Sequence, residues 1–291
     1  MTRSLALFVN PAAAGGRAAR ALPLVREELE RLDASYRVLD TRSLKHAHDA
    51  ALEAAAADET VVAIGGDGLV GCLAGALMNT DSALAIVPGG RGNDFARVLG
   101  IPVEPKAAAQ LAVDGAERLV DVANVNGRPF VGIASVGFDS DANRIANETR
   151  VVKGNLVYLY AALLALWRWH DASFEVVVDG QRHDLTGYAV AVANSKAYGG
   201  GMFLVPHAEL DDGRLDVMLT RSHSKLHWLA TVPKVFKGRH VDDAHIQWLS
   251  GAEIEVSADR PFTVYADGDP IADLPVKIGV AKRALRVIAP R

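Results

Sequence analysis

The stretch Val61 to Leu77, VVAIGGDGLVGCLAGAL, decides the fold: an apolar run ends in GGDG and passes directly into a helical pattern of small residues. It reads as strand, phosphate-type turn and helix. Val61 to Ile64 fit a buried strand, and Gly65, Gly66 and Gly68 let the backbone turn sharply and approach a ligand closely. A helix starting at Leu69 would aim unsatisfied N–H groups and the positive end of its dipole into that turn, which suits an anionic phosphate. Asp67 beside such a phosphate is then expected to serve only through a cation. Asp-Gly pairs also mark ordinary turns, so GGDG alone leaves a nucleotide site and a plain connection both open.

Working outward, the first third alternates strands with helices: Leu5 to Val9, then helix Ala18 to Leu32, strand Tyr36 to Leu39, helix Ala47 to Ala57, the central unit, and strand Ala83 to Val87. Alternation of this kind implies a parallel sheet covered by helices. Each strand ends in a polar or Gly-rich turn, at residues 10–17, 40–41, 65–68 and 88–94. Those turns share the carboxyl edge, where open α/β sheets bind ligands, and three Gly-rich turns at one edge favour a site over mere tight connections.

From about Val120 the period changes to short strands joined by hairpin turns, including Asn126-Gly127 and Asp179-Gly180. Further strand candidates are Tyr188 to Ala193, Leu215 to Leu219, Glu253 to Val256 and Phe262 to Ala266, which suggests a sandwich with helical insertions. The boundary lies near Asp121, and the last strand, Leu285 to Ile288, is expected to pack back on the first domain.

Composition narrows the function classes. With 291 residues, half hydrophobic and 23% charged, the chain can bury a large core in two domains. Net charge −4 and pI near 6.1 argue against binding nucleic acid by bulk electrostatics. Cys72, the sole cysteine, rules out an internal disulfide and suits a reducing cytoplasm. Leu5 to Val9 is too short for a signal-peptide core, and the longest apolar run, Leu156 to Trp167, is too short to span a bilayer. That run suits a buried helix or an acyl-chain groove. Lys225 to His240 carries Lys225, Lys234, Lys237 and Arg239 without an acid, with Trp228 and Phe236 interleaved; it reads as a solvated helix face or a surface for anionic lipid. The nine histidines show no metal-ligand spacing and read as structural or surface residues.

Asn10-Pro11, GGDG at 65–68, PGGRGNDFAR at 88–97, VNGRPFVGIASVGFD at 125–139 and YADGDP at 265–270 occur in that order. Together they resemble the diacylglycerol kinase catalytic family, specifically its soluble bacterial lipid kinases, whose relatives include sphingosine and ceramide kinases. The resemblance covers nearly the whole chain. It implies a Rossmann-like three-layer α/β nucleotide domain over residues 1–120, joined by the C-terminal strand at about 280–291, and a β-sandwich over 121–279, with ATP in the cleft between them. The activity implied is Mg²⁺-dependent transfer of the γ-phosphate to a lipid hydroxyl, diacylglycerol giving phosphatidic acid. A peripheral contact with the inner face of the membrane and a homodimer are further expectations.

Carried over residue by residue, the resemblance implies ATP contacts at Asn10, Pro11, Ala12, Ala13 and Ala14, at Thr41, at Gly65, Gly66, Asp67, Gly68, Leu69, Val70 and Gly71, and at Arg91 and Asn93. Arg17 stands for a phosphate-facing Lys, and Arg91 for the family's Thr or Ser; both guanidiniums suit phosphate oxygens. The loop Glu209 to Asp216 resembles the family's magnesium loop, with Asp212 giving a carboxylate and Glu209 and Arg214 their backbone carbonyls; its alternative is an acidic surface turn. Asp269 occupies the position of the family's Glu, the base that takes the lipid hydroxyl's proton, one methylene shorter; Asp267 is the alternative. Leu69, Gly71 and Cys72 replace the family's Thr, Asn and Glu, so a helix carboxylate that would support Mg²⁺ is missing. The rivals are a sphingoid or other lipid kinase, an NAD kinase-like enzyme for soluble metabolites, and a nucleotide-binding regulator with weakened catalysis. No NAD-kinase-type TGSTAY segment follows the GGDG.

Overall fold

The computed structural model describes residues 3–10, 16–149 and 156–291. Its first half is β1 (Leu5–Val9), α1 (Arg17–Arg31), β2 (Tyr36–Asp40), α2 (Leu44–Ala56), β3 (Thr60–Gly65), α3 (Asp67–Leu77) and β4 (Ala83–Pro88). These four strands pair in parallel in the order β2-β1-β3-β4. β1, β3 and β4 are buried from end to end, which is why they read as unbroken apolar runs, whereas the edge strand β2 is half exposed. The chain steps one way from β1 to β2 and the other way from β2 through β3 to β4, so right-handed crossovers put α1 on one face and α2 with α3 on the other. After β4 come α4 (Asp94–Val98) and α5 (Pro105–Asp114), the latter packed beside α1.

Two helix starts differ by two or more residues from the sequence reading. α2 begins at Leu44 because Ser43 caps it, its Oγ accepting the His46 N–H at 3.1 Å. α3 begins at Asp67, two residues before Leu69, which places a carboxylate in the first turn, where the helix dipole favours negative charge.

The second half opens with β5 (Ala116–Val125) and β6 (Arg128–Phe130), a hairpin turned at Asn126 and Gly127, both at positive φ. β7 (Ile133–Gly137), α6 (Phe138–Glu148) and α7 (Leu156–Arg168) follow. Then β8 (Ala172–Val178) and β9 (Gln181–Ala193) turn at Asp179-Gly180 in the same way. β10 (Leu215–Arg221), α8 (Lys225–Val235), β11 (Ile246–Gly251), β12 (Glu253–Ala258), β13 (Thr263–Ala266), β14 (Asp269–Asp273) and β15 (Val276–Ala289) complete the chain. β11 escapes sequence reading because it pairs only with β10 and is half-buried along most of its length, giving neither an apolar run nor alternation.

β15 ties the halves together. Its first residues pair antiparallel with β12, and its end runs parallel to β4 at Arg286 and Val287. Between them the register shifts, and Arg283 adopts φ 50° with its N–H donated to Asp121 at 2.6 Å. One large apolar core lies around β1, β3 and β4 and another around β7, β8, β9 and β12.

α3 forms the seam between the halves. Gly68, Gly71 and Gly75 share one helix face, and each meets the second half. A methyl at Gly75 would lie 2.6 Å from Pro129 Cγ, one at Gly71 3.6 Å from Asp267 Oδ2, and one at Gly68 3.5 Å from Asp269 Oδ2. Only the first is a clash; the other two positions leave room for carboxylates of the β13–β14 hairpin.

Candidate active site

The turns after β3 and β4 touch backbone to backbone. A Cβ on Gly90 would lie 2.5 Å from Gly66 Cα, and Gly89 N–H donates to Gly65 O at 2.8 Å. Asp67 locks this contact: its Oδ2 accepts the Asn93 N–H at 2.8 Å and its Oδ1 the Asp94 N–H at 2.7 Å. Asn93, at φ 52°, returns its own Oδ1 to the Gly90 N–H at 2.8 Å, closing the loop on itself. Asp67 thus has a structural task beyond the cation-linked one expected of it: each of its oxygens holds a backbone donor of the neighbouring loop.

Arg17, at the start of α1, donates to Gly90 O at 2.9 Å. With Arg20, Arg91 and Arg97 it lines an open groove of about 780 Å³ that runs from this loop to Ile101 and Val103. Guanidiniums around a Gly-rich turn are a phosphate-binding combination. Asn10 and Thr41 follow the paired residues Val9 and Asp40, so they sit side by side at the same edge. Thr41 is buried, and its hydroxyl donates to Val9 O at 3.0 Å. Leu69 and Val70 turn their side chains into the core, so only their backbone faces a ligand. Cys72 points toward α2, its Sγ 3.1 Å from Leu44 O. Pro11, Ala12, Ala13 and Ala14 lie outside the described residues.

From the other half, the β13–β14 hairpin reaches over α3. Asp267 and Gly268 both have positive φ, as a tight two-residue turn demands. The Asp267 carboxylate turns inward and accepts the N–H groups of Val131 (2.9 Å) and Gly132 (2.8 Å). Burial pushes its pKa up to about 6 against the pull of those N–H groups, and the charge of Asp67 adds to the rise. Asp269 remains exposed, with its carboxylate beside Gly68 at the first turn of α3. Adjacent acids of one hairpin thus have different surroundings, one tied to backbone and one facing the cleft.

Three participants carried no assignment in the sequence reading. Asp94 Oδ2 accepts the Gly200 N–H at 2.8 Å, linking α4 to the second half at Gly199-Gly200-Gly201, all at positive φ. Burial raises its pKa, and Asp67 adds to the effect. Asp139, in the first turn of α6, is pushed up to about 6 by burial alone. Tyr198, raised to about 12 by burial and then by Asp139, holds its hydroxyl 3.3 Å from Ser135 Oγ and 3.3 Å from Asn143 Nδ2. Asp94 and Asp139 fall inside the ordered motifs, but nothing in their spacing marks them as partners; the Gly199–Gly201 run was the available signal for a close loop contact.

The acidic loop is held from below by Asp121, fully buried, whose Oδ2 accepts the Gly213 N–H at 2.6 Å while its own N–H donates to Leu210 O at 2.6 Å. Asp212 is exposed and accepts the Arg214 N–H on Oδ1 at 2.9 Å, leaving Oδ2 toward solvent; Glu209 is also exposed. An all-oxygen donor set in a rigid turn fits a hard cation. Elsewhere the histidines depart from expectation: α8 and the turn ahead of β11 gather His227, Asp243 and His245, which sequence spacing had not linked.

Two family models match the chain: the diacylglycerol kinase catalytic domain over residues 4–125, and the YegS C-terminal NAD kinase beta sandwich-like domain over residues 132–289. A Mycobacterium tuberculosis protein named diacylglycerol kinase is 36% identical over 256 residues, 84% of this chain and 82% of its own. A Pseudomonas aeruginosa protein named "Probable lipid kinase YegS-like" is 34% identical over 244 residues, covering 81% and 78%. In fold, the chain matches a crystal structure of a Bacillus anthracis protein with TM-score 0.84 at 23% identity, covering 99% of this chain and 95% of that one. The architecture is therefore an α/β domain followed by a β-sandwich-like domain.

Proposed function

The chain belongs to the diacylglycerol kinase catalytic family, and from that membership and the geometry of its cleft we propose that it is an ATP-dependent lipid kinase acting on a lipid hydroxyl, with diacylglycerol as the acceptor. The observation that carries the reading is the meeting of three parts at the start of α3: two interlocked glycine turns, a groove lined by Arg17, Arg20, Arg91 and Arg97, and the Asp269 carboxylate arriving from the opposite half. Phosphates on one side and an acceptor's proton on the other are what phosphoryl transfer has to bring together.

In this reading the backbone of Gly65 to Gly71 approaches the nucleotide, and Asp67 keeps the Gly89 to Asp94 loop in register with it. Arg17 and Arg91 hold phosphate oxygens. Asp269 takes the proton of the lipid hydroxyl, and Asp267 fixes the hairpin that presents it by gripping the Val131 and Gly132 amides. Asp212, with the carbonyl oxygens of Glu209 and Arg214, would hold Mg²⁺, which when bound neutralises phosphate charge.

The lipid would be met at a membrane surface. Among the described residues no helix is long and apolar enough to cross a membrane. Trp167 is 80% exposed at the end of α7 and Leu226 79% exposed at the start of α8, and Lys225 joins the two helices by donating to Trp167 O at 2.7 Å. Leu163, Leu229 and Phe236 are exposed on the same two helices and the turn after α8, with Arg168, Lys234 and Lys237 nearby in sequence. Apolar side chains beside lysines and arginines suit an anionic bilayer.

The decisive experiment is incubation with radiolabelled ATP, Mg²⁺ and a mixed lipid extract, followed by identification of the labelled product. Labelled phosphatidic acid is expected. Label appearing only in water-soluble metabolites would overturn the reading.

A further inference from the structure

The histidine cluster of the second half lies on α8 and the turn ahead of β11, apart from the glycine turns and from the acidic loop. His227 projects from α8, while Asp243 and His245 come from the turn leading into β11, and their ligand atoms all lie within 4.8 Å of one another. His227 Nε2 and Asp243 Oδ2 are 2.7 Å apart. The His227 and His245 rings have centroids 4.8 Å apart at 67°, and His223 lies 4.9 Å from the first and 5.2 Å from the second.

The surroundings hold these groups in place. Asp243 Oδ1 accepts the His245 N–H at 3.0 Å and Oδ2 accepts the Thr231 hydroxyl at 3.3 Å, so the carboxylate is oriented without help from His227. His223 Nδ1 lies 3.1 Å from Ser224 O; a carbonyl only accepts, so Nδ1 carries the proton and Nε2 the lone pair. A ring nitrogen fixed by a carbonyl and a carboxylate fixed by its own donors are the usual outer supports of metal ligands. All three ligating residues are half-buried, open enough for an ion to enter.

We propose that His227, Asp243 and His245 bind a transition-metal dication of the Zn²⁺ type, with the His223 ring beside both imidazoles. Two imidazoles and a carboxylate select Zn²⁺, Co²⁺, Ni²⁺ or Cu²⁺ over Mg²⁺, whose preference is for oxygen. The metal takes the place of the proton between Nε2 and Oδ2; that proton moves to Nδ1 of His227, which stays neutral, and the carboxylate keeps its charge. The consequence is mechanical. α8 has no fully buried residue, so a metal shared between it and the turn before β11 would clamp a helix that apolar packing holds only loosely.

The test uses the full chain without a polyhistidine tag, stripped of metal and titrated with Co²⁺ and then Zn²⁺. One equivalent of Co²⁺ should give visible d–d absorption, one equivalent of Zn²⁺ should remove it, and α8 amides should exchange more slowly with Zn²⁺ bound. His245→Gln should weaken Zn²⁺ binding about tenfold or more, with the control His48→Gln, on α2 and outside the cluster, unchanged. If His245→Gln does not fold, a Zn²⁺-dependent rise in the Tm of the wild type, absent in His227→Gln, serves the same purpose. Absence of both the absorption and the Tm rise in the wild type overturns the proposal, as does equal affinity in His245→Gln.

Discussion

The Asp67 carboxylate, in the first turn of α3, accepts the backbone N–H of Asn93, 26 residues further along the chain, at 2.8 Å. Together with its bond to the Asp94 N–H, this makes one side chain tie the two glycine turns together, beside the direct Gly89 N–H to Gly65 O bond. Asp67→Asn keeps the shape but replaces one acceptor with a donor that faces an N–H. We expect a stability loss of about 1–3 kcal/mol and near-complete loss of turnover. Faster amide exchange at Asn93 and Asp94 would accompany it, and unchanged exchange with lost turnover would assign Asp67 to the reaction alone.

Gly90→Ala tests the backbone contact itself. Its methyl would sit 2.5 Å from Gly66 Cα, a backbone atom that cannot swing aside, and 2.8 Å from Asn93 Oδ1, which closes the same loop. The expected cost is about 1–3 kcal/mol, with weaker ATP binding measured by calorimetry. Gly68→Ala, whose methyl would stand 3.5 Å from Asp269 Oδ2, is the matched control and should stay within about 0.5 kcal/mol of wild type.

Asp269→Asn and Asp267→Asn should fail in different ways. The first is expected to lower kcat by about 10²–10⁴-fold while Tm and ATP affinity hold, because Asp269 is exposed and faces the cleft. The second breaks one of two amide contacts at Val131 and Gly132, so its activity loss should come with a lower Tm. Full activity in Asp269→Asn would remove it as the base.

Asp139→Asn addresses the electrostatic load of the cleft. An aspartyl carboxyl titrates near 3.8 when free and at about 6 in the folded chain, so the folded state binds the proton more tightly between those values. Stability therefore falls as pH rises from about 4 to about 6, and the full penalty of the buried charge is present above that. The amide carries no such charge. Denaturant melts should show Asp139→Asn more stable than wild type by about 1–3 kcal/mol at pH 8 and nearly equal at pH 4; an equal difference at both would refute the assignment.

Trp167→Ser combined with Leu226→Ser should abolish sedimentation with vesicles containing anionic lipid while leaving Tm unchanged, since both side chains are mostly exposed. Activity toward a short-chain, water-soluble acceptor should survive. Retained vesicle binding by the double variant would locate the membrane contact elsewhere.

The order of elements in the first half was legible in the chain because each determinant is local. Buried parallel strands must be continuous apolar runs, as in Val61 to Ile64, and the turn glycines and the Asn126-Gly127 pair encode their backbone angles directly. The ordered motifs likewise named Gly65 to Gly68, Asn93 and Asp269, which the fold brings together around the start of α3. What no local pattern carries is which way a polar side chain turns once distant segments meet. Asp267 and Asp269 stand two residues apart, yet the connection between β6 and β7 supplies amides to one while the other is exposed. Asp67 is committed to a loop 26 residues away, Asp94 to Gly200, and His227 to Asp243 on another element. Hydrogen bonding and burial depend on through-space neighbours; for Asp94 and Asp269 these lie in the other half of the chain, which β15 ties on and the glycine face of α3 lets approach.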